Sequence, residues 1–387
     1  MPSVQSLKLI LLFAVTAFAA DYYIEPAPTA PRLCTLARPC TYGLLPALTS
    51  ADTVHFLPAT TGTSNTYSLG TKILVAASIS IDSPLIVFSN TNLRNKDSTS
   101  LYVNSVRFIA GSLGSQGVAS VTVQNSNFTG GSYLVLDGQT ITLSDSKFSS
   151  LSGSNRHIIY GTTISVLNLQ FSDSKSSGHL ISFQPSVTFT ADSYVEIEGL
   201  SFSNCNTTTS SGSIVAVQSS SGKNINAGAL SSFSFVNCNS KAALYLAKCN
   251  FQSSSTPFAI TSTVFGLSVT GGSVFKGIIA LESNAATGGI THTTEELTAT
   301  GVDFNSGAIY TLVNSGTQVT QNTMMSGGNS VCESSNLNYI ASCAALSGAP
   351  VYEDYALIKG VYANVTIGPF DACTNTTLDV VDVCGLE

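Results

Sequence analysis

From about residue 100 onward the chain repeats one hydropathy phrase: apolar, polar, apolar, then four mostly polar positions, then phenylalanine. "LYVNSVRF" ends at Phe108, "VTVQNSNF" at Phe128 and "ITLSDSKF" at Phe148. "ISVLNLQF" ends at Phe171, "VEIEGLSF" at Phe202, "LYLAKCNF" at Phe251, "FAITSTVF" at Phe265 and "LTATGVDF" at Phe304, with a degraded copy ending at Phe235. The alternation marks a strand with one face buried. Its inward pairs are branched aliphatics, Val121/Val123, Ile141/Leu143, Ile164/Val166 and Val195/Ile197, which suit a packed pleated surface. Asn125, Asp145 and Asn168 hold one equivalent place in the polar corner, because Asn and Asp tolerate tight-turn backbones. The phenylalanine then returns inside.

A second strand phrase follows most copies. It reads "SYLVL" at 132–136, "HIIY" at 157–160, "HLISF" at 179–183, "SIVAV" at 213–217, "GIIAL" at 277–281 and "AIYTL" at 308–312. A rung of ~20 residues has room for a third short strand. One strand phrase reused at such a period predicts an all-β solenoid, a parallel β-helix in which successive coils stack and the phenylalanines form a column. A β-sandwich also has many short strands but does not require one phrase reused in register. The coils are expected over 53–325. A solenoid exposes strand edges at both mouths, so 21–52 and 326–387 are expected to be caps.

The ends carry further signals. In residues 1–20, Lys8 precedes the apolar run "LILLFAV", and Ala17-Phe18-Ala19 is a small-x-small cleavage site, the pattern of a secretory signal peptide. No other apolar run approaches membrane-spanning length. Nine cysteines follow. Cys34 with Cys40, Cys332 with Cys343, and Cys373 with Cys384 read as short-loop disulfides stapling the caps. Cys205 and Cys238 hold matching places in "NCN" corners and form a further possible bridge or a buried stack, with Cys249 near them in sequence. Asn127, Asn206, Asn364 and Asn375 are glycosylation acceptors. Of 387 residues, 10% are charged and the net charge is −7, which gives no basic footprint for nucleic acid. The expectation is a secreted, glycosylated monomer.

The phrase pattern resembles the pectin-lyase-like right-handed parallel β-helix superfamily. "FSNCN" at 202–206 and "FVNCN" at 235–239 are also similar to repeats of chlamydial polymorphic outer-membrane proteins, which are adhesins. "CTLARPCTYGLLPALTSADTVHFLP" resembles the start of such helices, where a short capping helix precedes the first strand, here Thr53 to Leu57. The likeness covers 34–325 and implies a right-handed, single-stranded helix, to which the cysteine spacing adds disulfide-stapled terminal caps.

Enzymes of that superfamily carry clustered acidic calcium ligands with a basic residue, or paired aspartates with His and Lys. No such phrase is present, and no catalytic residue or cofactor is assigned. Glu196 and Glu198 alternate on one strand face, but calcium needs 6–8 oxygen ligands, so two solvated charges are the simpler reading. Glu295 and Glu296 are adjacent and are expected to point to opposite sides if they lie on a strand. His157 and His179 begin two second-strand phrases without an evident third metal ligand.

The first strand's outward rows are polar: Tyr102, Thr122, Thr142, Ser165 and Glu196 in one, Asn104, Gln124 and Ser144 in the other. On the second strand, placing Leu134, Ile158, Leu180, Ile214, Ile278 and Ile309 inward leaves Val135, Ile159, Ile181, Val215, Ile279 and Tyr310 outward, with Tyr245 joining them. Such a ladder suits an extended polymer whose sugar rings present apolar faces. The expected partner is an extracellular or cell-wall polysaccharide, bound without catalysis as by the β-helix wall lectins of encysting protists. An adhesin and a divergent polysaccharide lyase or glycoside hydrolase are the alternatives.

Overall fold

The computed structural model describes residues 19–26, 34–59, 65–154, 156–207, 212–218, 223 and 225–247, and from 258 to 381 chiefly the backbone of strands. The chain is all-β, and its strands form one parallel sheet network. Each strand pairs with the strand one repeat later. Val121 lies opposite Leu101 and Ile141, Ile141 opposite Ile164, and Ile164 opposite Val195. Three such stacks make up the sides of the ring.

Side one contains Thr53–Phe56, Ser78–Asp82, Ser100–Asn104, Val118–Gln124, and then 140–144, 163–167 and 194–198. Its inward columns run Val54, Ile79, Leu101, Val121, Ile141, Ile164, Val195 and Ile81, Val103, Val123, Leu143, Val166, Ile197, all buried. Side three contains Thr66–Tyr67, Val87–Ser89, Arg107–Ile109, Asn127–Thr129, Lys147–Ser149, and then 170–172, 201–203 and 234–236. It carries the aromatic column. Phe88, Phe108, Phe128 and Phe148 stack with centroids 4.9 Å apart and planes within 15°. Phe171, Phe202 and Phe235 continue the stack. Tyr67 starts it, and its hydroxyl sits 2.7 Å from the Ile24 carbonyl and 2.6 Å from that of Leu57.

The corner between sides one and three explains the polar spacing. Asn125, Asp145 and Asn168 have φ of 50°, 48° and 52°, a left-handed conformation that costs most residues about 1–2 kcal/mol and that Asn and Asp adopt readily. Their side chains also bond between rungs: the Asn168 amide donates to Asp145 at 3.3 Å and the Asn125 amide to Asn104 at 2.9 Å. The corner after the phenylalanine is built the same way, with Asp173, Asn204 and Asn237 near 50°. Side two bends smoothly into side one within single strands, Tyr133–Ser144 and His157–Ser172. At that bend Gly161 is required, since a Cβ there would lie 2.6 Å from Ile164.

The region expected as an N-terminal cap adds a layer of its own. Asp21–Ile24 pairs in parallel with Thr53–Phe56. The loop closed by the Cys34–Cys40 disulfide covers its other edge: Tyr23 N–H donates to Cys34 O at 2.8 Å, and Glu25 N–H to Cys40 O at 2.9 Å. Ahead of Thr53 the helical element is a 3-10 turn, Tyr42–Leu44.

The reading of side two is corrected. It comprises Gly70–Val75, Thr91–Lys96, Ser112–Gln116, and then 133–138, 157–161, Ile181–Pro185 and Val215–Val217. The register sets Leu136 opposite Ile159, His157 opposite Ile181, Ile181 opposite Val215, and Leu244 opposite both Val215 and Ile279. Ile159, Ile181, Val215 and Ile279 therefore belong to the core and are buried. Because strands alternate faces with period two, a one-residue slip moves a whole row to the other side. Val135 and Ile158 are the outward, half-buried members. Tyr245 continues their row but is buried against Ala216, Ala242 and Ala280. Tyr310 pairs with Ile279 in the backbone, and its side chain lies outside the described residues.

Candidate functional site: the outer face of side two

With the register set, the outward rows of side two can be read directly. One runs Thr71, Asn92, Ser112, Tyr133. The next runs Ile73, Arg94, Gly114, Val135, Ile158. The third runs Val75, Lys96, Gln116 and, one rung on, Asp137 and Tyr160. The first two rows line a shallow groove of ≈350 Å³. Gly114 forms its floor. A Cβ there would sit 3.3 Å from the Val135 carbonyl and 3.4 Å from the Arg94 side chain, so the missing side chain leaves the dip between those neighbours.

The polar groups of the groove are fixed from rung to rung. Arg94 donates to the Gln116 amide oxygen at 2.6 Å, Ser112 to the Asn92 amide oxygen at 2.9 Å, and Asn92 to Thr71 at 3.4 Å. These bonds order the side chains before anything binds. Among the described residues Arg94 makes no ion pair with a carboxylate. Ile73 and Val75 are about half exposed, at 52% and 51%. The groove thus combines an aromatic ring, aliphatic surface, amides and one guanidinium on a flat, repeating backbone.

Beside the groove, at the third row, a strap folds back over the sheet. Asp137, on the third row, is buried and accepts hydrogen bonds from Ser186 at 2.5 Å, from Thr188, and from the Gly117 N–H at 3.4 Å. Lys223 donates to the carbonyls of Ser186 and Phe189. The segment 186–190 is thereby clipped onto the rung containing Asp137.

The other residues singled out in the sequence are dispersed. Glu196 and Glu198 are exposed on side one, opposite Ser165 and Leu167 of the preceding rung. Among the described residues no three His, Cys, Asp or Glu side chains converge. His157 and His179 do not stack on each other. His157 is in the core, edge-on to Phe148 and Phe171 at 4.7 and 5.4 Å. Its Nδ1 accepts the Leu134 N–H at 3.2 Å, and burial lowers its pKa to about 3. His179 stacks on Tyr245 at 5.5 Å. Burial, with help from Lys241 and Arg156, lowers its pKa to about 4.

Cys205 and Cys238 are buried and present as thiols. The thiols of Cys249, Cys332, Cys343, Cys373 and Cys384 lie outside the described residues, as do Asn364 and Asn375. Asn127 lies half-buried on the outer face of side three, in a second groove of ≈450 Å³ that also includes Thr129. The Asn206 side chain accepts a 2.6 Å hydrogen bond from Asn239. No protein-family model, curated protein or solved structure matches the chain.

Proposed function

We propose that the protein is an exported, right-handed parallel β-helix of the pectin-lyase-like kind that binds extracellular or cell-wall polysaccharide without cleaving it. The groove on side two carries this reading. Tyr133 offers a ring on which a sugar's apolar face can stack. Asn92, Gln116 and Arg94 offer amide and guanidinium groups for its hydroxyls. Rungs are ~4.8 Å apart, so these groups are spread along the direction an extended chain would follow. Side three is the competing surface, but its groove includes the acceptor Asn127, and a glycan there would cover it. Among the described residues no helix is long and apolar enough to cross a membrane. The family reading rests on the repeat pattern, and fold likeness alone does not assign a ligand.

The test is sedimentation of the purified protein with insoluble cellulose, chitin and pectin. Retention on at least one polymer with no sugar released is expected. Tyr133→Ala and Arg94→Ala are each expected to reduce retention at least tenfold, a loss of about 1.4 kcal/mol. Release of unsaturated or reducing ends would replace this reading with an enzyme. Adherence to cells with no retention on any polymer would replace it with an adhesin. Full retention by both variants would move the site elsewhere.

A further inference from the structure

The corner that follows each phenylalanine contains an ordered column of small polar groups. Ser174 donates to the carbonyl of Ser172 at 2.8 Å. One rung later Cys205 makes the same contact with Ser203 at 3.4 Å, and one rung after that Cys238 makes it with Val236 at 3.4 Å. Ser126 and Ser146 make the equivalent bond at the preceding corner, each at 2.8 Å. A hydroxyl is therefore sufficient for this local role, and sulfur is not needed for it. Yet the two cysteines occupy consecutive rungs in the same place.

Their relative position is fixed by the backbone. Asn206 pairs with Asn239, and the Asn239 N–H donates to the Cys205 carbonyl at 3.0 Å. Neighbouring parallel strands are ~4.8 Å apart, within the ~4.4–6.8 Å between Cα atoms that a disulfide spans. The chain between the two cysteines is longer than the twenty-residue spacing of Phe108, Phe128 and Phe148.

We infer that Cys205 and Cys238 form a cross-rung disulfide when the chain folds in the presence of a small disulfide oxidant such as oxidised glutathione. One cysteine thiolate attacks a glutathione disulfide sulfur, forming a mixed disulfide and releasing one glutathione thiolate. The second cysteine thiolate then displaces the other glutathione. The two cysteine protons pass to solvent, and the two electrons leave on the two glutathione thiolates. Both sulfurs are buried in the folded chain, so the exchange belongs to folding and the finished bond is shielded from reductant.

The test uses the full chain, reduced in denaturant and refolded in a glutathione redox couple, followed by peptide mapping without reduction. A peptide pair joined through Cys205 and Cys238 is expected. The double variant Cys205→Ser/Cys238→Ser, which restores the side chain of Ser174, is expected to keep the circular dichroism spectrum. Its denaturation midpoint is expected to fall less on adding dithiothreitol than that of the parent. Free, alkylatable Cys205 and Cys238 after refolding would overturn the inference. So would a bridge from either to Cys249, or equal reductant sensitivity in the two proteins.

Discussion

Sides three and two of the ring are built from the same rungs, yet one was legible from the hydropathy pattern and the other was misread. On side three, each phenylalanine from Phe108 on sits three residues after a left-handed corner residue: Ser105 before Phe108, Asn125 before Phe128, Asp145 before Phe148, Asn168 before Phe171, Gly199 before Phe202 and Ser232 before Phe235. That constant spacing locks the register. On side two, the connection into the strand lengthens irregularly, from Phe108-to-Leu113 through Phe148-to-His157 to Phe202-to-Val215. Phrases that look alike there are offset, and a one-residue offset exchanges core for surface. A periodic pattern is reliable where a backbone constraint fixes its phase.

The comparison can be broken most severely at the aromatic column. Phe128→Ala removes a buried ring with stacked neighbours on both sides and is expected to cost about 3–5 kcal/mol, read as a lower denaturant midpoint. Val135→Ala, outward on side two, is expected to change stability by under about 0.5 kcal/mol. Similar losses at the two positions would refute the assigned faces.

His157 sharpens the contrast, since it is a side-two residue that points into the core. Its folded pKa of about 3 lies below its ordinary value of 6.5. Between these values the unfolded chain binds the extra proton. Stability is therefore full above pH 6.5, falls by about 1.4 kcal/mol per pH unit on acidification, and levels off below pH 3. His157→Asn keeps an acceptor for the Leu134 N–H and removes the titrating group. Chemical denaturation from pH 7 to 4 is expected to show a shallower acid limb in that variant, and an unchanged limb would place His157 in water.

The corner residues should give a smaller effect than the aromatic column. Asn125→Val forces a β-branched side chain into φ of 50° and is expected to lose about 1–2 kcal/mol. Asn125→Gly is expected to be close to neutral. Equal losses from both would mean that the Asn125–Asn104 hydrogen bond, and not the backbone, is what the corner needs.

Much of the fold was readable because its determinants are local. The alternating pairs of side one, the Asn and Asp corners and the phenylalanine column each follow from a few adjacent residues. The missed features depend on residues far apart in the chain. Asp21–Ile24 is too short to declare itself as a strand and is defined by its pairing with Thr53–Phe56. The strap depends on Ser186 reaching Asp137 across 49 positions, with no shared motif between them. The groove was half visible: Val135 was named, whereas Tyr133, Arg94 and Gly114 entered only when the rungs were aligned. Isolated phrases show which residues alternate but not which of them become neighbours on the outside.

The disulfide loop at the start of the chain has a bearing on self-association. By occupying the free edge of Asp21–Ile24, Cys34 and Cys40 take up the backbone groups through which another copy would add a strand. Head-to-tail growth requires two open ends on every molecule, and here one is occupied. Copies meeting by strand addition would have to join through their opposite ends, which gives a closed two-fold pair and not a filament.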